Sequence, residues 1–143
     1  MAKRTDQKEA AARGFLVDEN VPAEVSEFIA AQGFRVAHIG RTEDHLLEAP
    51  PKGTPDSLLK KSLQNLVLIT QDRRMLRAGA MPAKHRGLFV IDSTRSTPLA
   101  IVQDLFRKTD WTDDPLLIGR RFLVALDHLE EVEPDGRKSV EWW

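Results

Sequence analysis

Three short apolar runs in this 143-residue chain each deliver an aspartate at or just beyond their ends. Phe15-Leu16-Val17 runs directly into Asp18, and Leu88-Phe89-Val90-Ile91 runs directly into Asp92. Leu66-Val67-Leu68-Ile69-Thr70 reaches Asp72 after one more residue. Such runs read as buried strands of a parallel sheet. Open α/β sheets bind ligands just outside the carboxyl ends of their strands. Carboxylates far apart in sequence are thereby expected at one edge. Like charges gathered there repel unless a cation sits between them, and removing one carboxylate should relieve that repulsion. The chemistry this suggests is a divalent-metal site acting on phosphodiesters.

Each carboxylate also has a local reading. Asp18, with Glu19 and Asn20, suits a turn that leads into a helix. Asp56, behind Thr54-Pro55, complements a helix dipole. Asp72 can cap the helix that follows it. Asp92, before Ser93-Thr94, suits an Asx turn, and that is the preferred reading there. The metal reading gains force from joint placement. Crossovers of the usual right hand aim Asp18, Asp72 and the helix start bearing Asp56 at one edge. From Asp72 to Arg95, six basic residues (Arg73, Arg74, Arg77, Lys84, Arg86, Arg95) stand against two acids, Asp72 and Asp92. A basic stretch beside carboxylates suits phosphate binding. A solvated, Arg-rich helix and loop is the alternative reading.

The positioning elements follow from pattern. Residues 14–17 form a first strand, and a helix follows with Asn20 or Val21 as N-cap and Pro22 at its first position. Val25, Phe28, Ile29 and Gln32 share one face, and Gly33 closes the helix. Residues 34–39 form a second strand. Residues 40–53 are irregular, and a loop of that length is often functional. Thr54 caps a second helix, with Pro55 first and Asp56 in its first turn. Residues 66–70 and 88–91 are strands, with a short basic helix over 73–78. Ser96-Thr97-Pro98 opens a further helix with Val102, Leu105 and Phe106 on one side. Residues 122–126 suit helix or strand. Pro134-Asp135-Gly136 separates 129–133 from 137–142 as the turn of a terminal β-hairpin.

One domain is expected over 14–143, with residues 1–13 a flexible tail and a hairpin extension from about residue 115. The composition, 41% hydrophobic and 30% charged, is ordinary globular material. The absence of cysteine excludes disulfides, zinc-thiolate sites and cysteine nucleophiles. The four histidines show no metal-ligand spacing, and no Walker loop, dinucleotide fingerprint or serine elbow occurs. No apolar run reaches the roughly 20 residues of a membrane span, and no secretory leader is evident. A cytoplasmic chain without membrane contact is the expectation.

The order of Asp18-Glu19-Asn20, Gly33-Phe34-Arg35-Val36, Gly53-Thr54-Pro55-Asp56 and Leu68-Ile69-Thr70-Gln71-Asp72-Arg73-Arg74 resembles a known pattern. It is similar to the PIN-like domains of VapC-type toxins and related RNase domains, over roughly residues 14–92. The resemblance implies a three-layer α/β/α fold around a mainly parallel sheet, and a metal-dependent endoribonuclease. It implies Mg²⁺ or Mn²⁺ on Asp18, Asp56 and Asp72 as catalytic acids, with Thr70 and Asn20 supporting them. Glu19 and Asp92 are further candidates. Where some relatives carry a second acid after the Asp72 position, this chain has Arg73 and Arg74, and these are assigned to RNA phosphates. RNA and a cognate antitoxin are the implied partners, and a homodimer is left open. Two other readings compete. One is a binding module for nucleic acid or protein on the same fold with a degraded site. The other is a phospho-receiver domain, which would need a lysine at the end of a late strand.

Overall fold

The computed structural model describes residues 14–42, 46–47, 66–77, 79–81, 84–108 and 118–133, and the backbone of 138–142. Continuous apolar runs need cover on both faces. Every residue of β1 (Phe15–Val17), β2 (Val36–His38), β3 (Val67–Thr70) and β4 (Leu88–Ile91) is buried. These strands and β5 (Arg121–Ala125) pair in parallel. β6 (His128–Val132) and β7 (Lys138–Trp142) then extend the sheet in antiparallel fashion. The full order is β2-β1-β3-β4-β5-β6-β7. The α/β fold with a mainly parallel sheet is therefore as expected. The ambiguous run at 122–126 falls in the strand β5, and 128–132 pairs with 138–142 in antiparallel fashion, the terminal hairpin the pattern foretold. The turn residues Pro134, Asp135 and Gly136 lie outside the described residues.

Side-chain alternation divides the core in two. Phe15, Val17, Ile69, Phe89 and Ile91 face one side and pack against α1 (Ala23–Ala31) and α2 (Pro98–Lys108) through Val25, Ile29, Ile101, Val102 and Leu105. Phe28 of α1 meets Phe106 of α2 edge-on, with ring centroids 5.7 Å apart. Leu16, Leu68, Leu88 and Val90 face the other side, where Met81 and the flanks Met75 and Leu76 cover them. The helix expected from Thr54-Pro55-Asp56, which would form the third layer, lies outside the described residues.

Both helices cover the same face, yet α1 carries the chain from β1 outward to β2 while α2 carries it from β4 in the opposite direction to β5. Parallel pairing alone sets the carboxyl ends of β1, β3 and β4 side by side, so the strand ends bearing Asp18, Asp72 and Asp92 share the expected edge.

Two local details differ from the sequence reading. Pro22 is the N-cap, since its ψ of 148° is extended and helical geometry begins at Ala23. The basic helix shortens to a 3₁₀ turn over Arg73–Leu76. Gly33 terminates α1 at φ +91°, as its position implied. Gly14 serves packing instead: a Cβ there would lie 2.9 Å from Leu66 Cδ2 and 3.0 Å from the Arg35 carbonyl.

His85 and Arg121 are also buried, and Arg121, alternating with Phe122 and Val124, faces away from the helices. Arg121 donates to the carbonyls of Leu76 and Glu133, tying the 3₁₀ turn to the hairpin extension. His85 Nδ1 accepts from the Gly87 N–H at 3.1 Å. Burial, aided by the Arg121 charge, pushes the His85 pKa below its ordinary value. The unfolded chain therefore binds a proton that the folded chain refuses once pH falls below about 6.5. Stability is expected to decline as pH drops from about 7 towards 5, read as a falling urea midpoint. His85→Asn, which keeps an acceptor near Nδ1, should flatten that decline. An equal slope in wild type and variant would remove His85 as its cause.

Candidate site at the sheet edge

The strand order reverses between β1 and β3, and a crevice at such a switch point is where open α/β sheets take ligands. Asp18 stands at that seam. Its N–H donates to the Ile69 carbonyl at 2.9 Å, carrying the β1–β3 ladder one residue past Val17. Its carboxylate then emerges at the rim. Oδ2 accepts from the Thr70 hydroxyl at 2.6 Å, and Oδ1 accepts from the Glu19 N–H at 2.8 Å. Thr70 is fully buried. Its Oγ1 also accepts from the Asp72 N–H at 3.1 Å, so one hydroxyl joins Asp18 to the start of the Asp72 turn.

Asp72 caps the 3₁₀ turn, accepting from the Arg74 N–H at 3.0 Å. The Arg74 guanidinium adds a two-pronged contact, Nε to Oδ1 and a terminal nitrogen to Oδ2, each at 3.0 Å. Hydrogen bonding from Arg74 holds the Asp72 carboxyl below the usual carboxylate range. Removing the Asp72 charge would therefore forfeit the Arg74 contacts as well as relieve like-charge repulsion. In the folded chain that charge is welcome.

Asp92, at the end of β4, forms the expected Asx turn. Oδ1 accepts from the Thr94 hydroxyl at 2.8 Å and the Thr94 N–H at 3.1 Å, while Oδ2 takes Arg73 at 2.9 Å. The Thr94 bonds, with Arg73 behind them, lower its pKa. Asn20 reaches across the seam, accepting from the Gln71 N–H at 3.2 Å. Gln71 in turn donates from Nε2 to Ser93 Oγ at 2.9 Å. Asn20, Gln71 and Ser93 thus stitch β1, β3 and β4 together behind the carboxylates. The Gln71–Ser93 link was missed in the sequence, where neither residue stood out except by lying just past a strand end.

Asp18, Thr70, Asp72, Arg73, Arg74 and Asp92 therefore share one edge, with Glu19 beside Asp18. Asp56 lies outside the described residues. The donors offered at the seam are oxygens, the type that hard cations such as Mg²⁺ and Mn²⁺ take. Among the described residues no three acidic or imidazole groups gather as a complete metal cage. A small hard cation that keeps most of its waters needs few protein ligands, and for one to reach Asp72 the Arg74 side chain would have to yield. That side chain is 77% exposed, so the pair with Asp72 is a weak, displaceable one.

No family model, curated protein or solved structure matches this chain. No lysine follows β4 or β5, where Asp92-Ser93 and Leu126-Asp127 stand, and a phospho-receiver would need one. Among the described residues no helix is long and apolar enough to cross a membrane.

Proposed function

We propose that the protein is a metal-dependent endoribonuclease with a PIN-like site, in which Asp18 and Asp72, joined by Asp56, hold Mg²⁺ or Mn²⁺ as the catalytic acids. The observation that carries this reading is the Asp18–Thr70–Asp72 hydrogen-bond chain across the β1–β3 switch point. The bound ion supplies charge neutralisation at the scissile phosphate and a more acidic water. Thr70 fixes the Asp18 carboxylate in one orientation. Asn20 holds the Gln71 backbone, and so the approach of β3 to the turn. Arg73 and Arg74, exposed at the rim, exchange Asp92 and Asp72 for substrate phosphates, which suit a planar guanidinium. RNA is the substrate class, and the resemblance supports a toxin held by a cognate antitoxin in the cytoplasm.

A second reading has its own support. Arg74 satisfies both oxygens of Asp72, as expected of a binding module whose metal site has degraded. Mn²⁺ titration followed by electron paramagnetic resonance separates the two. The nuclease reading expects saturable Mn²⁺ binding, and RNA cleavage that EDTA abolishes. RNA binding without either would establish the binding module.

A further inference from the structure

A cavity of about 460 Å³ opens one strand further along the same edge. Its walls are the turn after β4, carrying Asp92, Thr94, Arg95 and Ser96, and the tight β5–β6 turn at Leu126, with His128 alongside. The volume falls within the roughly 300–1,000 Å³ of small-molecule sites. We propose that this cavity is a nucleotide subsite, seating the base and ribose of the RNA residue next to the phosphate held at the β1–β3 seam. The proposal rests on the nuclease reading for its substrate class, and on the cavity for its place.

The chemistry of the walls is two-sided. Leu126 is a large apolar side chain left 46% exposed, an unusual choice for the first residue of a two-residue hairpin turn. It offers a surface for a flat base. Across from it, the Arg95 guanidinium and the Ser96 hydroxyl supply donors for a phosphate. The one carboxylate in the wall, Asp92, is already offset by Arg73 at 2.9 Å and by Thr94. His128 is engaged by Glu130 at 3.3 Å. Arg95 is accordingly the cationic group in the wall that answers an incoming anion.

Position supplies the rest. Neighbouring strands lie about 4.8 Å apart, so the cavity at the β4 and β5 ends sits roughly 10 Å from the seam. A single strand crossing the sheet edge from β1 towards β5 would meet Asp18, then Asp72 and Arg74, then Arg73, then the cavity. The far wall is fixed from below. Asp104 of α2, itself buried, accepts from the Asp127 N–H at 3.0 Å and from Lys108 at 3.2 Å, holding the β5–β6 turn against the helix. Asp127 adopts φ 57°, which an aspartate tolerates, and Leu126 is presented as a result.

The test uses the full chain and a ten-nucleotide single-stranded RNA in EDTA, with AMP as a second probe. The RNA is expected to shift the amide resonances of Arg95, Leu126 and His128. Arg95→Ala and Leu126→Ser are each expected to weaken RNA binding about five- to tenfold, leaving Mn²⁺ affinity unchanged. Unaltered RNA affinity in both variants, or shifts confined to other elements, would overturn the subsite. AMP binding in the cavity more tightly than the RNA would overturn it too, by assigning the cavity to a free nucleotide. A cleavage assay in Mn²⁺ keeps the two readings apart. RNA seated in the cavity without cleavage sinks the nuclease reading alone. Cleavage indifferent to both variants sinks the subsite alone.

Discussion

Asp72→Asn should reduce Mn²⁺-dependent RNA cleavage by roughly a hundredfold or more. Loss of a group that merely supports a metal ligand typically costs 10–100-fold, and a ligand should cost at least that. The substitution leaves shape almost unchanged but removes the charge that the ion needs. It also puts an amide in front of the Arg74 guanidinium, so the two-pronged contact is lost along with part of the turn cap. The fold should lose only about 1 kcal/mol, because the partner is largely exposed. The sign follows from the lowered Asp72 pKa: its stabilisation is present above a pH of about 4 and fades as pH falls through the folded value. Single-turnover cleavage and urea denaturation, run on the same preparation, separate chemistry from folding. Cleavage at the wild-type rate by a folded Asp72→Asn variant would remove Asp72 from the metal site.

Arg74→Ala should act in the opposite direction on the ion. It removes both guanidinium contacts to Asp72, leaving only the backbone N–H of residue 74 on Oδ1, and withdraws a unit charge that competes with the cation. A charge at about 4 Å is worth about 1 kcal/mol in water and more near a protein surface. Mn²⁺ affinity should therefore rise roughly fivefold or more. RNA affinity should fall and its dependence on salt should flatten, since one fewer phosphate contact releases one fewer counterion. Arg73→Ala tests the same idea beside Asp92, with a smaller effect on the ion. Mn²⁺ affinity unchanged in Arg74→Ala would show that Asp72 does not reach the metal, and an unchanged salt slope would deny Arg74 its phosphate.

The placement of these groups was largely legible in the sequence. Buried parallel strands announce themselves as unbroken apolar runs, and a residue at a strand end inherits its edge from the strand. Asp18, Thr70, Asp72 and Asp92 were locatable for that reason. The turn chemistry of Asp92 was legible too, because Asp before Ser93-Thr94 has few other uses. What the sequence did not disclose was the pairing of charges. Nothing in the string Asp72-Arg73-Arg74 says that Arg74 folds back onto Asp72 while Arg73 crosses to Asp92. That choice is made by the 3₁₀ turn, which the pattern suggested as a longer helix. The cavity escaped notice because its walls come from two turns about 30 residues apart, and neither turn is distinctive alone.

The Asp18–Thr70 hydrogen bond joins residues 52 positions apart in the chain. The hairpins of β5, β6 and β7, by contrast, pair close neighbours in sequence. Loop closure is costly in entropy, and contacts between distant segments come late when a chain folds. The C-terminal hairpins can therefore assemble early, while the β1–β3 seam waits until the long intervening segment has been drawn in. The candidate catalytic groups are thus the product of the least local pairing in the described sheet. They cannot exist in a half-folded chain: a partly unfolded molecule can carry the hairpins without the seam. Amide exchange at Asp18, whose N–H reaches Ile69 across that seam, reports the opening of the β1–β3 seam and not of a single turn.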